Sequence, residues 1–138
     1  MSDPRLEERI RRLRAAIGRA SRVCVLTGAG ASAESGVPVY RGNEGLYQAF
    51  SAADMATPEG FARDPARVWQ WYHDRRRQLA EIRPNAGHTA LAAMERQFAE
   101  RPAATFRLVT QNIDGLHQAA GSREVLEVHG SIRRSRCT

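Results

Sequence analysis

The chain has 138 residues, 42% hydrophobic and 26% charged, the make-up of one ordinary globular domain. At this length a compact fold buries about two-thirds of the surface its unfolded chain exposes. Twenty-one basic residues against 15 acidic ones give a net charge of +6, and every basic residue is arginine.

The arginines are spread along the chain, as at Arg5, Arg22, Arg63, Arg96 and Arg123, mostly opposite apolar positions. That distribution reads as a solvated face and argues against a nucleic-acid partner, which net charge alone would suggest. No stretch approaches the roughly 18 apolar residues of a membrane helix, so no membrane association is expected. Met1 to Arg14 is charged and amphipathic, unlike a secretory signal. Cys24 and Cys137 lie far apart and make no disulfide framework, so a reducing cytoplasm is the expected compartment.

Leu6, Ile10, Leu13 and Ile17 recur at helical spacing, predicting an amphipathic helix over about residues 4 to 20. Val23 to Leu26 is a short apolar run, predicted as a buried strand with Cys24 packed inside it. It runs directly into Gly28-Ala-Gly30-Ala-Ser32-Ala33. From Pro38 to Asp54 the chain is glycine-rich and irregular, a candidate functional loop. Asp64-Pro65 reads as an N-cap with proline at the first helical position. The helix it opens carries Val68, Trp69, Tyr72, Arg76 and Leu79 along one side. A further helix, about 87 to 100, presents Leu91, Met94 and Phe98. Phe106 to Thr110 reads as a strand ending in the polar cluster Gln111-Asn112-Ile113-Asp114, and Val125 to His129 as a third strand. Strands alternating with helices predict an α/β fold, a Rossmann-like parallel sheet with flanking helices. In such sheets ligands bind at the carboxyl ends of the strands, where both polar clusters fall.

Glycines after a strand permit a tight turn and close approach of backbone to a pyrophosphate, and the helix start that follows offers unpaired N–H groups. Alone this signal is weak. The third glycine of the dinucleotide fingerprint is Ala33 here, and no strand ending in an acid follows about 20 residues on.

Three longer stretches carry more. Gly28-Ala-Gly-Ala-Ser-Ala-Glu-Ser-Gly-Val-Pro-Val-Tyr-Arg41-Gly, Thr110-Gln-Asn-Ile-Asp-Gly-Leu-His117 and Glu127-Val-His-Gly-Ser131 resemble, in order, the signatures of the sirtuins, NAD-dependent protein deacylases. The turn Pro84-Asn-Ala-Gly-His88 is also similar to that family. The resemblance implies NAD as cofactor and acylated lysine-containing proteins as partners. It assigns the NAD phosphates to Gly28, Ala29, Gly30 and Ser32, with Glu34 also at the cofactor. Tyr40 and Arg41 would close the nicotinamide ribose pocket, the tyrosine standing where phenylalanine is usual. Gln111, Asn112, Ile113 and Asp114 would hold the ribose and the nicotinamide amide, and His129 would be the general base. In the implied reaction nicotinamide leaves, the acyl oxygen captures the ribose carbon, and the products are free lysine, nicotinamide and acyl-ADP-ribose. An imidazole suits the base role because it exchanges a proton near neutral pH. His88 and His117 keep a structural reading, His88 at a helix start and His117 on a helix after the second signature.

Tyr72 and Arg75 sit three residues apart, on one helix face. In one sirtuin subclass such a pair reads negatively charged acyl groups, which implies succinyl or malonyl recognition beside acetyl. A guanidinium fork on a distal carboxylate with a phenol hydrogen bond is the chemistry that would do this. Arg75 to Arg77 also reads as a plain solvated charge run. Cys137 matches the first cysteine of the family's structural zinc module, which needs four ligands; this chain supplies one. The resemblance thus implies a single, incomplete, C-terminally truncated domain over 1–138, with the zinc module absent or incomplete. An inactive NAD- or ADP-ribose-binding fragment is the alternative to the deacylase.

Overall fold

The computed structural model describes residues 3–38 and 55–137. In chain order these form α1 (Pro4–Arg19), β1 (Arg22–Thr27), α2 (Gly30–Ala33), α3 (Pro58–Arg63), α4 (Pro65–Ala80), α5 (Ala86–Ala99), β2 (Thr105–Thr110), α6 (Leu116–Ala119) and β3 (Val125–Glu127). The sheet is parallel, ordered β1-β2-β3, with Arg22 opposite Thr105 and Leu108 opposite Val125. This is the α/β architecture expected from alternating strands and helices.

The caps explain the helix starts. Asp3 accepts the Arg5 N–H, Thr57 the Gly60 N–H and Asp64 the Arg67 N–H, each with proline in the first turn. Asn85 opens α5 by accepting from Gly87 and His88, while the His88 ring accepts the Asn85 N–H. This reciprocal box uses histidine where glutamate is commoner.

The core lies on one side of the sheet. Phe98 of α5 packs on Phe106, ring centroids 5.9 Å apart, with Leu108, Val23, Val25, Leu91, Met94 and Ile17 around them. Alternation of the pleat sends Arg22, Cys24 and Leu26 to the other side, where Leu26 is 64% exposed. The expectation of a fully buried β1 with Cys24 packed inside it is therefore corrected: Cys24 is exposed. The apolar run reads as two-sided because Cys24 and Leu26 interleave with Val23 and Val25, yet only the odd positions meet the core. The stripe of α1 is likewise mostly outside; Leu6, Ile10 and Leu13 are exposed, and Ile17 alone of the four reaches the core cluster.

Candidate functional site

Thr27 and Thr110 end their strands in register, and Thr27 Oγ1 donates to Thr110 Oγ1 at 2.9 Å. His117 of α6 meets the same Thr27 hydroxyl through Nε2 at 2.9 Å. Thr110 Oγ1 also accepts the Asn112 N–H, which turns the chain at the strand end.

Above this layer sits Ser32, fully buried. Its Oγ donates to Asp114 Oδ2 at 2.7 Å and accepts from Asn112 Nδ2 at 3.0 Å. The other Asp114 oxygen accepts the Leu116 N–H. Asn112 Nδ2 also reaches the Gly28 carbonyl at 3.0 Å, so one amide joins both glycine-rich and polar stretches. Asn85 does the same from a third direction, donating to the Ala31 carbonyl and the Ser35 hydroxyl while capping α5. His88 accepts the Asn85 N–H at Nδ1, which leaves its proton on Nε2, 3.4 Å from Ser32 Oγ. The two buried histidines lie with ring centroids 4.7 Å apart. Burial lowers the pKa of both, for His117 with help from the neighbouring His88, and Asp114 opposes the shift without reversing it. His88 thus caps the start of α5, and His117 lies buried on α6.

His129 follows β3 and is exposed. Its Nδ1 lies 3.1 Å from the Gln111 carbonyl, an acceptor, so Nδ1 carries the proton and Nε2 is the basic nitrogen.

A cleft of about 440 Å³ opens beside this network, lined by Ala29, Ser32, Tyr72, Arg75, Gln111, Asn112, Ile113, Asp114 and His129. These nine were expected at the site from the sequence, and the fold gathers them at one cleft together with Val37, Pro38, Ala56 and Leu79, which were not; Gly28, Gly30 and Glu34 are not among its lining residues. Arg75 is buried, its guanidinium carbon 5.1 Å from the Trp71 ring centroid. It is not part of a solvated run. A second cleft of about 230 Å³ meets the first at Tyr72, Ile113 and His129 and continues along Val68, Trp69 and Arg76.

Gly28 and Gly30 test whether a dinucleotide fits. Neither has the positive φ that calls for glycine. A Cβ at Gly28 would meet nothing nearer than Gln111 Oε1 at 3.9 Å, and one at Gly30 nothing within 4 Å. Neither backbone strain nor packing within the described residues requires glycine there, and the open floor suits close approach of a phosphate. The helix behind the turn is the single turn of α2. Glu34 caps its end, exposed and apart from the residues lining the cleft. Tyr40, Arg41 and the rest of residues 39–54, most of the candidate loop expected from Pro38 to Asp54, fall outside the described residues. Zinc fits less well. Among the described residues no group of three histidine, cysteine or acidic side chains could hold a metal, and Cys137 is exposed.

Sequence reasoning missed the tying role of Asn85, although asparagine before Ala-Gly-His was an N-cap signal. It also missed Arg76, which reaches the Ile132 carbonyl. Nothing in local pattern announces a bond spanning 56 residues.

The model of the Sir2 family matches residues 28–138. An NAD-dependent protein deacylase of Thermus thermophilus is 48% identical over 130 residues, covering 94% of this chain and 51% of that protein. The mitochondrial NAD-dependent protein deacylase sirtuin-5 of Xenopus tropicalis is 46% identical, covering 91% of this chain and 40% of that protein. Among solved structures, a Sir2 homologue bound to NAD superposes with a TM-score of 0.75 at 41% identity, covering 88% of this chain and 45% of that one. A mutant Sir2 homologue in complex with ADP-ribose gives 0.78 at 40% identity, covering 87% and 46%. The chain thus spans about half the length of the relatives it matches.

Proposed function

This chain belongs to the Sir2 family, and from that premise we propose that it provides the NAD-gripping and acyl-reading part of an NAD-dependent protein-lysine deacylase. The observation that carries the reading is one cleft holding His129, Asn112 and Asp114 together with Tyr72 and Arg75. NAD, when bound, supplies the electrophilic ribose carbon and the departing nicotinamide. Gly28, Ala29 and Gly30 lie under its phosphates. Asp114 keeps lone pairs beyond its bonds to Ser32 and Leu116, available to the nicotinamide amide. Ser32 donates to that carboxylate, and the Asn112 amide fixes Ser32 in turn. His129, its Nδ1–H engaged by the Gln111 carbonyl, takes a ribose hydroxyl proton at Nε2. The acyl-lysine enters where the two clefts meet, and Arg75 with Tyr72 receives a negatively charged acyl end, succinyl or malonyl, beside acetyl.

The test is calorimetric titration with ADP-ribose, followed by matched succinyl- and acetyl-peptide rates with NAD. Binding should occur, and His129→Ala should abolish turnover with ADP-ribose affinity kept. Arg75→Met should cost the charged acyl peptide about 1.5 to 3 kcal/mol, roughly ten- to a hundredfold, and spare the acetyl peptide. Binding without turnover would make the chain an ADP-ribose-binding fragment. Equal losses on both peptides would remove the charged-acyl assignment.

A further inference from the structure

Ile132 is 4% exposed and its peptide is held from two sides. Its N–H donates to the Ile113 carbonyl at 3.0 Å, on the NAD side of the cleft. Its carbonyl accepts Arg76 Nε at 2.6 Å, from helix α4. Arg76 Nη2 donates to Ser135 Oγ at 2.9 Å, and its guanidinium carbon lies 5.6 Å from the Trp69 ring centroid. Two hydrogen bonds and a stacked ring use the flat fork of arginine, and a lysine ammonium could repeat only part of that set. Arg76 stands one residue after Arg75 and one helical turn after Tyr72 on the same helix, while Ile132 stands three residues after His129.

We propose that Arg76 is a positioning residue that fixes helix α4, and with it Tyr72 and Arg75, against the segment carrying His129. This rests on the deacylase reading of those three residues. The base is set by the segment leaving β3 and by the Gln111 carbonyl, whereas the acyl reader is set by α4. A reaction joining an acyl carbon to a ribose hydroxyl needs both at one spacing, and displacements near 1 Å are costly. Arg76 spans the joint between them and touches neither reacting group.

Hydrogen exchange followed by mass spectrometry on the 138-residue chain tests this without requiring turnover. Arg76→Met should speed exchange in peptides covering 130–137 about tenfold or more, as expected for loss of one charge-assisted bond. Exchange along β1 and β2 should stay as in the parent chain. Arg76→Lys should restore part of the protection, and Arg77→Met, on an exposed neighbour, should change nothing. In turnover, Arg76→Met should raise KM for succinyl and acetyl peptides alike, unlike the selective loss at Arg75. Unchanged exchange over 130–137, or equal loosening of the β1–β2 ladder, overturns the proposal. A parent chain that fails to bind ADP-ribose while Arg76→Met still loosens 130–137 overturns the deacylase reading and supports the tether.

Discussion

The two ends and two faces of this sheet are finished very differently. At the carboxyl ends of the strands, the buried Ser32, His88, Thr110, Asp114 and His117, with the half-buried Thr27 and Asn112, join in one hydrogen-bonded assembly. On the face away from the core, Leu26, Leu126 and Val128 are exposed, as are Leu6, Ile10 and Leu13 of α1. The polar region is the closed one and the apolar region the open one, the reverse of the usual arrangement. Organisation of the cleft is therefore supplied by directional bonds among its own residues and depends little on the open face.

The comparison breaks most visibly at Asp114. Asp114→Ala deletes the acceptor of Ser32 and of the Leu116 N–H inside a buried network, and should cost about 3 kcal/mol by urea denaturation. ADP-ribose binding should be lost with it. Acid should act on the same place. His88 and His117 have lowered pKa values in the fold, so the unfolded chain takes up their protons first as pH falls. Stability from these two is full above their unfolded value near 6.5 and is lost as pH drops from there through the lowered folded values. Melting temperatures at pH 8 and 5.5 should show the fall, and His88→Gln should flatten it.

A smaller effect is expected at Gly115. It sits at φ 73°, and a Cβ there would come within 2.6 Å of Arg133 Nε, which donates to the Asp114 carbonyl. Gly115→Ala should cost about 1 to 2 kcal/mol, from left-handed strain plus displacement of that arginine. Thermal melting is the measure. The smallest change belongs to the open face. Leu26→Ser and Leu126→Ser should shift stability by no more than about 0.5 kcal/mol, against about 2 to 5 for Leu108→Ala in the core. A large loss at either exposed leucine would show that the open face is covered in solution.

Much of this was legible in the chain itself. Asp64-Pro65 marked the start of α4, and Leu91, Met94 and Phe98 marked the inward face of α5. The polar clusters were rightly placed at strand ends because each directly follows a strand, and parallel strands bring their carboxyl ends to one edge. What could not be read was which side of β1 would be covered, since Val23 to Leu26 is apolar on both. The cross-ties were also hidden. Asn85 to Ala31, Arg76 to Ile132 and Arg133 to Asp114 join segments that no local pattern relates.

The sheet register also sets the entropic cost of closing each strand pair. β2 and β3 meet across 17 positions, as Arg107 and Glu124 do, whereas β1 and β2 meet across 83, as Thr27 and Thr110 do. Closing the longer loop costs about 1.4 kcal/mol more in chain entropy by the logarithmic scaling of loop length. By loop entropy alone, pairing β2 with β3 is the cheaper closure and pairing β1 with β2 the dearer one. Thr27, Gly28 and Ser32 lie at and just after the end of β1, so completing the cleft network requires the dearer of the two closures.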